Sequence, residues 1–164
     1  METVLTNEKD ERFIQLSNEL NEEYYRNIGD ASLKYLDYNQ LEDPHTVLLV
    51  LNWGNPIACA SYRLFDKDSV EIRRVYVKRR HRNKGIAYKL VKSLEKLAME
   101  DNFKYSYITT GTENAAAIAL YKKLWLLISV VRHFLFTDNN SNHCRGVWRE
   151  MKTTSNAQPR TSTQ

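Results

Sequence analysis

The chain of 164 residues is poor in the residues that staple, ligate or punctuate. Its two cysteines, Cys59 and Cys144, are too few for a disulfide framework. No Cys-x-x-Cys or His-x-x-x-His spacing occurs, so no metal site is expected. Cys59, within Ile57-Ala-Cys-Ala-Ser-Tyr, reads as a small core residue. Long apolar runs are also missing: Val47–Leu51 and Leu124–Val131 are too short to span a bilayer. The acidic N-terminus lacks the pattern of a secretory signal, so a cytoplasmic location is expected. Glycine is scarce, five in all, and this excludes two phosphate-binding loops. There is no Gly-x-x-x-x-Gly-Lys-Ser/Thr, and Gly85 stands without the two companions a dinucleotide fingerprint requires.

One domain is expected over residues 1–152, followed by a polar, disordered tail over 153–164. The net charge is +4, and it is concentrated in Lys78-Arg79-Arg80-His81-Arg82-Asn83-Lys84. Three readings stand side by side: a solvated loop, a nucleic-acid patch, or a funnel for phosphates. No aromatic residue is interleaved to stack bases, and the run ends at Gly85, where a helix opens. The free N–H groups of a first helical turn converge on one spot, with the positive end of the helix dipole behind them. Gly85 has no Cβ to obstruct a phosphate. Arg82 and Lys84 are expected to add mobile positive charge, and Asn83, Ile86 and Ala87 complete the loop. The pattern fits a pyrophosphate and argues against a nucleic-acid partner.

Hydrophobic periodicity orders the elements. Residues 7–28 read as a helix, with Phe13, Leu16, Leu20 and Tyr24 at helical spacing and Gly29 as its stop. A shorter helix is expected over 30–38. Strands follow over 46–52, 57–64 and 70–77, then a helix over 85–101 striped by Ile86, Leu90, Leu94 and Leu97. A strand over 103–109 precedes a helix capped by Asn114 and running through Leu124. The last two strands are expected over 126–136 and 146–152.

Arg82-x-x-Gly85-x-Ala87, after the strand Ile72-Arg-Arg-Val-Tyr-Val, resembles the coenzyme A motif of the GNAT superfamily of acyl-CoA N-acyltransferases. A second element, Asn114-x-x-Ala117-x-x-Leu120-Tyr121-Lys122-Lys123-Leu124, lies at family spacing downstream, and the resemblance covers residues 46–151. It implies an α/β (α+β) GNAT fold, a mixed, mostly antiparallel sheet of six to seven strands with helices on both faces. Two parallel strands would splay after a bulge to admit the coenzyme arm. It implies acetyl-CoA as acyl donor, an amine as acceptor and direct attack without an acyl-enzyme. Pantetheine amides would pair with backbone at Val75, Tyr76 and Val77, and the pyrophosphate would sit on Arg82–Ala87. Asn114 would cap its helix and bond the arm. Neither a nucleic-acid nor a membrane partner is implied, and a homodimer stays open.

For a general base the strand offers Glu71, whose other reading is a cross-strand pair with Arg63 or Arg73. Glu113 is a weaker candidate. For the general acid the resemblance singles out Tyr121, whose other reading is a core tyrosine. One departure stands out: Trp125-Leu126 occupies positions where family members carry glycine and an aromatic residue, which bears on how the helix ends. Acceptor specificity is expected from Gly29–Pro44, with Asp30, Asp37, Glu42 and Asp43, and from Asp138–Cys144. The alternative to an enzyme is a catalytically weak coenzyme A-binding sensor or scaffold.

Overall fold

A computed structural model of the chain describes residues 1–35, 40–43, 45–111, 114–125 and 144–151. Among them six strands form one sheet in the order β1 to β6. β1 is Glu2–Asn7, β2 His45–Asn52, β3 Asn55–Asp66, β4 Ser69–Val77, β5 Tyr105–Gly111 and β6 Cys144–Glu150. All neighbours pair antiparallel except β4 and β5, which are parallel. Helix α1 is Glu11–Ile28, α2 is Ile86–Glu100 and α3 is Ala115–Trp125. The mixed sheet with helices on both faces is the expected architecture. No helix among the described residues is long and apolar enough to cross a membrane.

Alternation along the strands divides the core in two. On one face Leu48, Val50, Ala58, Ala60, Tyr62, Val70 and Ile72 pack against the α2 stripe Ile86, Leu90, Val91, Leu94 and Ala98, with Tyr121 and Leu124 of α3. On the other face Val47, Leu49, Leu51, Cys59 and Tyr76 meet Phe13 and Leu16 of α1. Helix α1 starts where the Asp10 side chain accepts the Arg12 N–H at 2.9 Å and stops at Gly29, whose φ of 57° suits glycine.

Three differences from the sequence reading concern boundaries. No strand was expected before the first helix, yet Glu2–Asn7 pairs with β2 from Thr46 to Leu51. Its pattern is weak because only Val4 turns an apolar side chain toward the core. The expected second helix is a 3₁₀ segment, Gly29–Tyr35. Phe103 precedes its strand and packs on the α2 face, its ring edge-on to Tyr62 at 6.5 Å. The expected strand at 126–136, the tail at 153–164, Glu113, Asp37, Pro44 and residues 138–143 of the second specificity segment lie outside the described residues.

Candidate active site at the parting of β4 and β5

The parallel pairing of β4 with β5 runs from Ser69 opposite Tyr105 to Ile72 opposite Ile108 and stops there. Both strands continue, β4 to Val77 and β5 to Gly111, each held by its antiparallel partner on the outer side. The cause lies in β4. Cys59 opposes Tyr76 and Ser61 opposes Arg73, so the single residue Ala60 faces both Arg74 and Val75. That is a β-bulge, which bends its strand and raises the local twist. Arg74 carries the bulge at φ 53°, a left-handed conformation that costs a non-glycine residue about 1 kcal/mol. Its side chain is buried, and Nη1 donates to Asn21 Oδ1 on α1 at 2.7 Å. Burial, then the neighbouring Arg73, bring the Arg74 guanidinium down to about 10.

Beyond β4 the chain passes a 3₁₀ turn, Arg79–His81, and reaches the loop at α2. Asn83 and Gly85 both adopt left-handed φ, 62° and 73°, so the chain turns sharply twice just before α2. Nothing lies within 4 Å of where a Cβ on Gly85 would stand, so the backbone there faces open space. Helix α2 begins with no side-chain cap and no acidic residue in its first turn. Its first backbone bond is Lys89 N–H to Gly85 O, at 3.0 Å, leaving the N–H groups of Ile86, Ala87 and Tyr88 ahead of the helical ladder. Ile86 buries its side chain in the core and offers this loop only its backbone.

Arg82 corrects one expectation: it is a brace, not a mobile charge. Its Nε donates to Val77 O at 2.8 Å, its Nη2 to Glu23 Oε2 at 2.8 Å, and its guanidinium lies over the Tyr76 ring. Arg79 also reaches Glu23 at 3.5 Å, and Lys78 pairs with Glu19 at 3.0 Å. Helix α1 thus offsets part of the basic run with two acids, while Lys84 stays exposed. Burial alone would push Glu23 up, but Arg82 and Arg79 hold its carboxyl below the ordinary value.

Asn114 caps α3 through Oδ1, which accepts the Ala117 N–H at 3.1 Å, and its Nδ2 donates to the Tyr24 hydroxyl at 3.3 Å. Tyr121 lies two turns further along α3, 7% exposed, within the core on the α2 face. Burial first, and the Tyr24 phenol second, push the Tyr121 hydroxyl well above its ordinary value. Tyr24 was read from the sequence only as the last member of an apolar stripe. Its signal was a polar tip closing that stripe, and the fold brings it to Asn114 and Tyr121.

Glu71 is 1% exposed and accepts from Arg63 Nε at 2.8 Å, its register partner on β3. Arg63 Nη1 also meets the Asp43 carboxylate. Both readings of Glu71 therefore bear on one residue: it lies on the strand that opens, and it is ion-paired. Asp43, one of the acids thought to attract a cation, is engaged by Arg63.

The model of the acetyltransferase (GNAT) family matches residues 13–124. The chain belongs to the GNAT acetyltransferase family. Among solved structures it resembles the PaiA N-acetyltransferase of Thermoplasma acidophilum in complex with coenzyme A, at 14% identity and a TM-score of 0.68. That match covers 92% of this chain and 100% of the other. A GNAT family acetyltransferase of Staphylococcus aureus Mu50 aligns over the same shares at 16% identity, with a TM-score of 0.65. A GNAT family acetyltransferase of Elizabethkingia anophelis with acetyl-CoA bound matches at 24% identity and a TM-score of 0.51, over 65% of this chain and 76% of that one. At these identities the likeness is one of fold, and the GNAT sheet described above is what they share.

Proposed function

We propose that this GNAT protein moves the acetyl group of acetyl-CoA to a primary amine of a small molecule or peptide, by direct attack of the amine. The observation that carries the reading is the parting of β4 from β5 at Ile72 and Ile108, with the Asn83–Gly85 loop following β4 into α2. The GNAT relatives with coenzyme A or acetyl-CoA bound share this fold. The residues present fit the donor: uncapped N–H groups at the start of α2, an open backbone at Gly85 and an exposed Lys84 suit a pyrophosphate.

Bound acetyl-CoA supplies an acyl thioester, and the protein supplies the rest. The loop Arg82, Asn83, Lys84, Gly85, Ile86 and Ala87 would hold phosphate through its backbone and Lys84, with the Arg82 side chain bracing it. The β4 backbone at Val75, Tyr76 and Val77 aligns the arm like an added strand, with Asn114 beside it. An alkylamine with a pKa of about 10.4 is neutral in only about one molecule in a thousand at pH 7, so a proton acceptor is required. Glu71 is the carboxylate placed on the opening strand. Tyr121, held protonated by burial across the neutral range, donates the proton that a departing thiolate takes up.

Acetyl-CoA should raise the melting temperature, because it binds the folded chain alone. Gly85→Glu should abolish the shift by adding a side chain and a negative charge to the loop. Purified protein should release free coenzyme A faster with some member of a panel of polyamines, amino acids, aminoglycosides and lysine or N-terminal peptides. No melting shift would overturn the coenzyme reading. A shift with every amine inert would replace the enzyme by a coenzyme-sensing domain.

A further inference from the structure

The bulge that opens the sheet is fastened from β3 by side chains rather than by the backbone ladder alone. Cys59 Sγ donates to the Arg74 carbonyl at 3.3 Å, and Ser61 Oγ donates to the Arg73 carbonyl at 3.3 Å. These two residues flank Ala60, the one residue that faces the bulged pair. Behind Ser61 stands His45, with Nδ1 at 3.1 Å from Ser61 Oγ. Ser61 Oγ thus lies between the Arg73 carbonyl and the His45 ring, in hydrogen-bond reach of both. All three side chains are buried.

We propose that Cys59 and Ser61, with His45 behind Ser61, are positioning residues that hold the Arg74 bulge and so set the β4 backbone from Val75 onward for the pantetheine arm. An extra residue in one strand disrupts the ladder beside it, and buried carbonyls there need donors from elsewhere. Cys59 and Ser61 provide one donor to each of two consecutive carbonyls. They thereby favour the left-handed Arg74 over a regular register that would slide Val75 and return β4 toward β5. Arg74 is held at its far end by Asn21, so backbone and side chain of the bulge are pinned from β3 and from α1. The nucleotide half of the coenzyme would meet the Asn83–Gly85 loop, which this clasp does not touch. The two halves of one ligand therefore report separately.

This inference rests on the coenzyme reading above, and calorimetric binding of two probes tests it. One probe is acetyl-CoA; the other is 3′-phosphoadenosine 5′-diphosphate, which has the pyrophosphate and lacks the arm. In the Cys59→Ala/Ser61→Ala protein, acetyl-CoA should bind about tenfold more weakly, the worth of two modest hydrogen bonds felt in part. The nucleotide probe should keep its affinity. Cys59→Ser, which retains a donor, should bind acetyl-CoA like the original chain, and Cys59→Ala more weakly. Undiminished acetyl-CoA binding in the double variant, or equal loss for both probes, would overturn the clasp. Should the double variant not fold, equal acetyl-CoA affinities in Cys59→Ala and Cys59→Ser would overturn it as well. An original chain that binds neither probe removes the coenzyme reading itself, whereas binding indifferent to these donors removes only the clasp.

Discussion

Arg63 donates from Nε to Glu71 Oε2 at 2.8 Å, directly opposite it in the β3–β4 register. The carboxylate nominated as base is thus also half of a buried ion pair, and the guanidinium extends from it to Asp43 at the surface. Burial works against the charge on Arg63, but Glu71 and then Asp43 hold its pKa above the ordinary value.

Removing one partner of this pair should therefore cost more than removing both. Arg63→Leu takes its guanidinium away from a carboxylate that is 1% exposed and should destabilise the fold by about 3 kcal/mol. Arg63→Leu combined with Glu71→Gln should recover much of that loss in denaturant titrations. Glu71→Gln alone keeps the shape of the side chain and removes its charge, and it should lower amine-dependent release of coenzyme A. Turnover unaltered by Glu71→Gln would leave Glu71 a structural ion-pair partner.

Tyr121 is tested by removing only its hydroxyl. Tyr121→Phe retains the packing against the α2 face and should leave acetyl-CoA affinity unchanged. Turnover should fall by roughly a hundredfold if the phenol donates a proton in the reaction. A variant as active as the original chain would make Tyr121 a core residue.

His45 should shape the acid side of the stability profile. Burial, then the charges of Arg73 and Arg63, bring it down to about 4 against the pull of Glu8 and Asp43. Unfolded, it titrates near about 6.5. Between these values the unfolded chain takes up a proton that the folded chain refuses. Stability from a neutral His45 is full above about 6.5 and is lost as pH falls toward about 4. Denaturant unfolding across that window should show a shallower decline in His45→Gln than in the original chain. Parallel declines would mean that the ring is not shielded.

Cys59 should be chemically silent. Burial pushes its thiol up to about 12, leaving almost no thiolate at neutral pH. In a Cys144→Ser protein an aromatic disulfide reagent should react with Cys59 only after denaturant unfolds the chain. Rapid labelling of the native protein would show that the packing over β3 opens readily.

Much of the candidate site was legible because its signals are local. A cap such as Asn114, a stripe such as Ile86-Leu90-Leu94, and a glycine opening a helix after basic residues each depend on neighbours within a turn or two. These features stand where the sequence reading put them. Strand β1 escaped because its residues, four of them exposed and none fully buried, carry little pattern, and the hydrogen bonds of β2 recruit them.

By itself, then, the sequence determined the order of the principal helices and strands, the glycine at which α2 opens and the family, all from short-range patterns. Tertiary structure alone decided what the charges do. Helix α1 crosses the sheet and brings Glu19, Asn21, Glu23 and Tyr24 to residues some fifty to ninety positions later. It turns Arg82 from a free cation into a brace, and it anchors the bulged Arg74. The register of β3 on β4 sets Arg63 on Glu71, and Cys59 and Ser61 on the bulge carbonyls. Periodicity says which face a residue takes but not which partner waits there. That partner is chosen only when distant segments pack and a buried charge or carbonyl must find one.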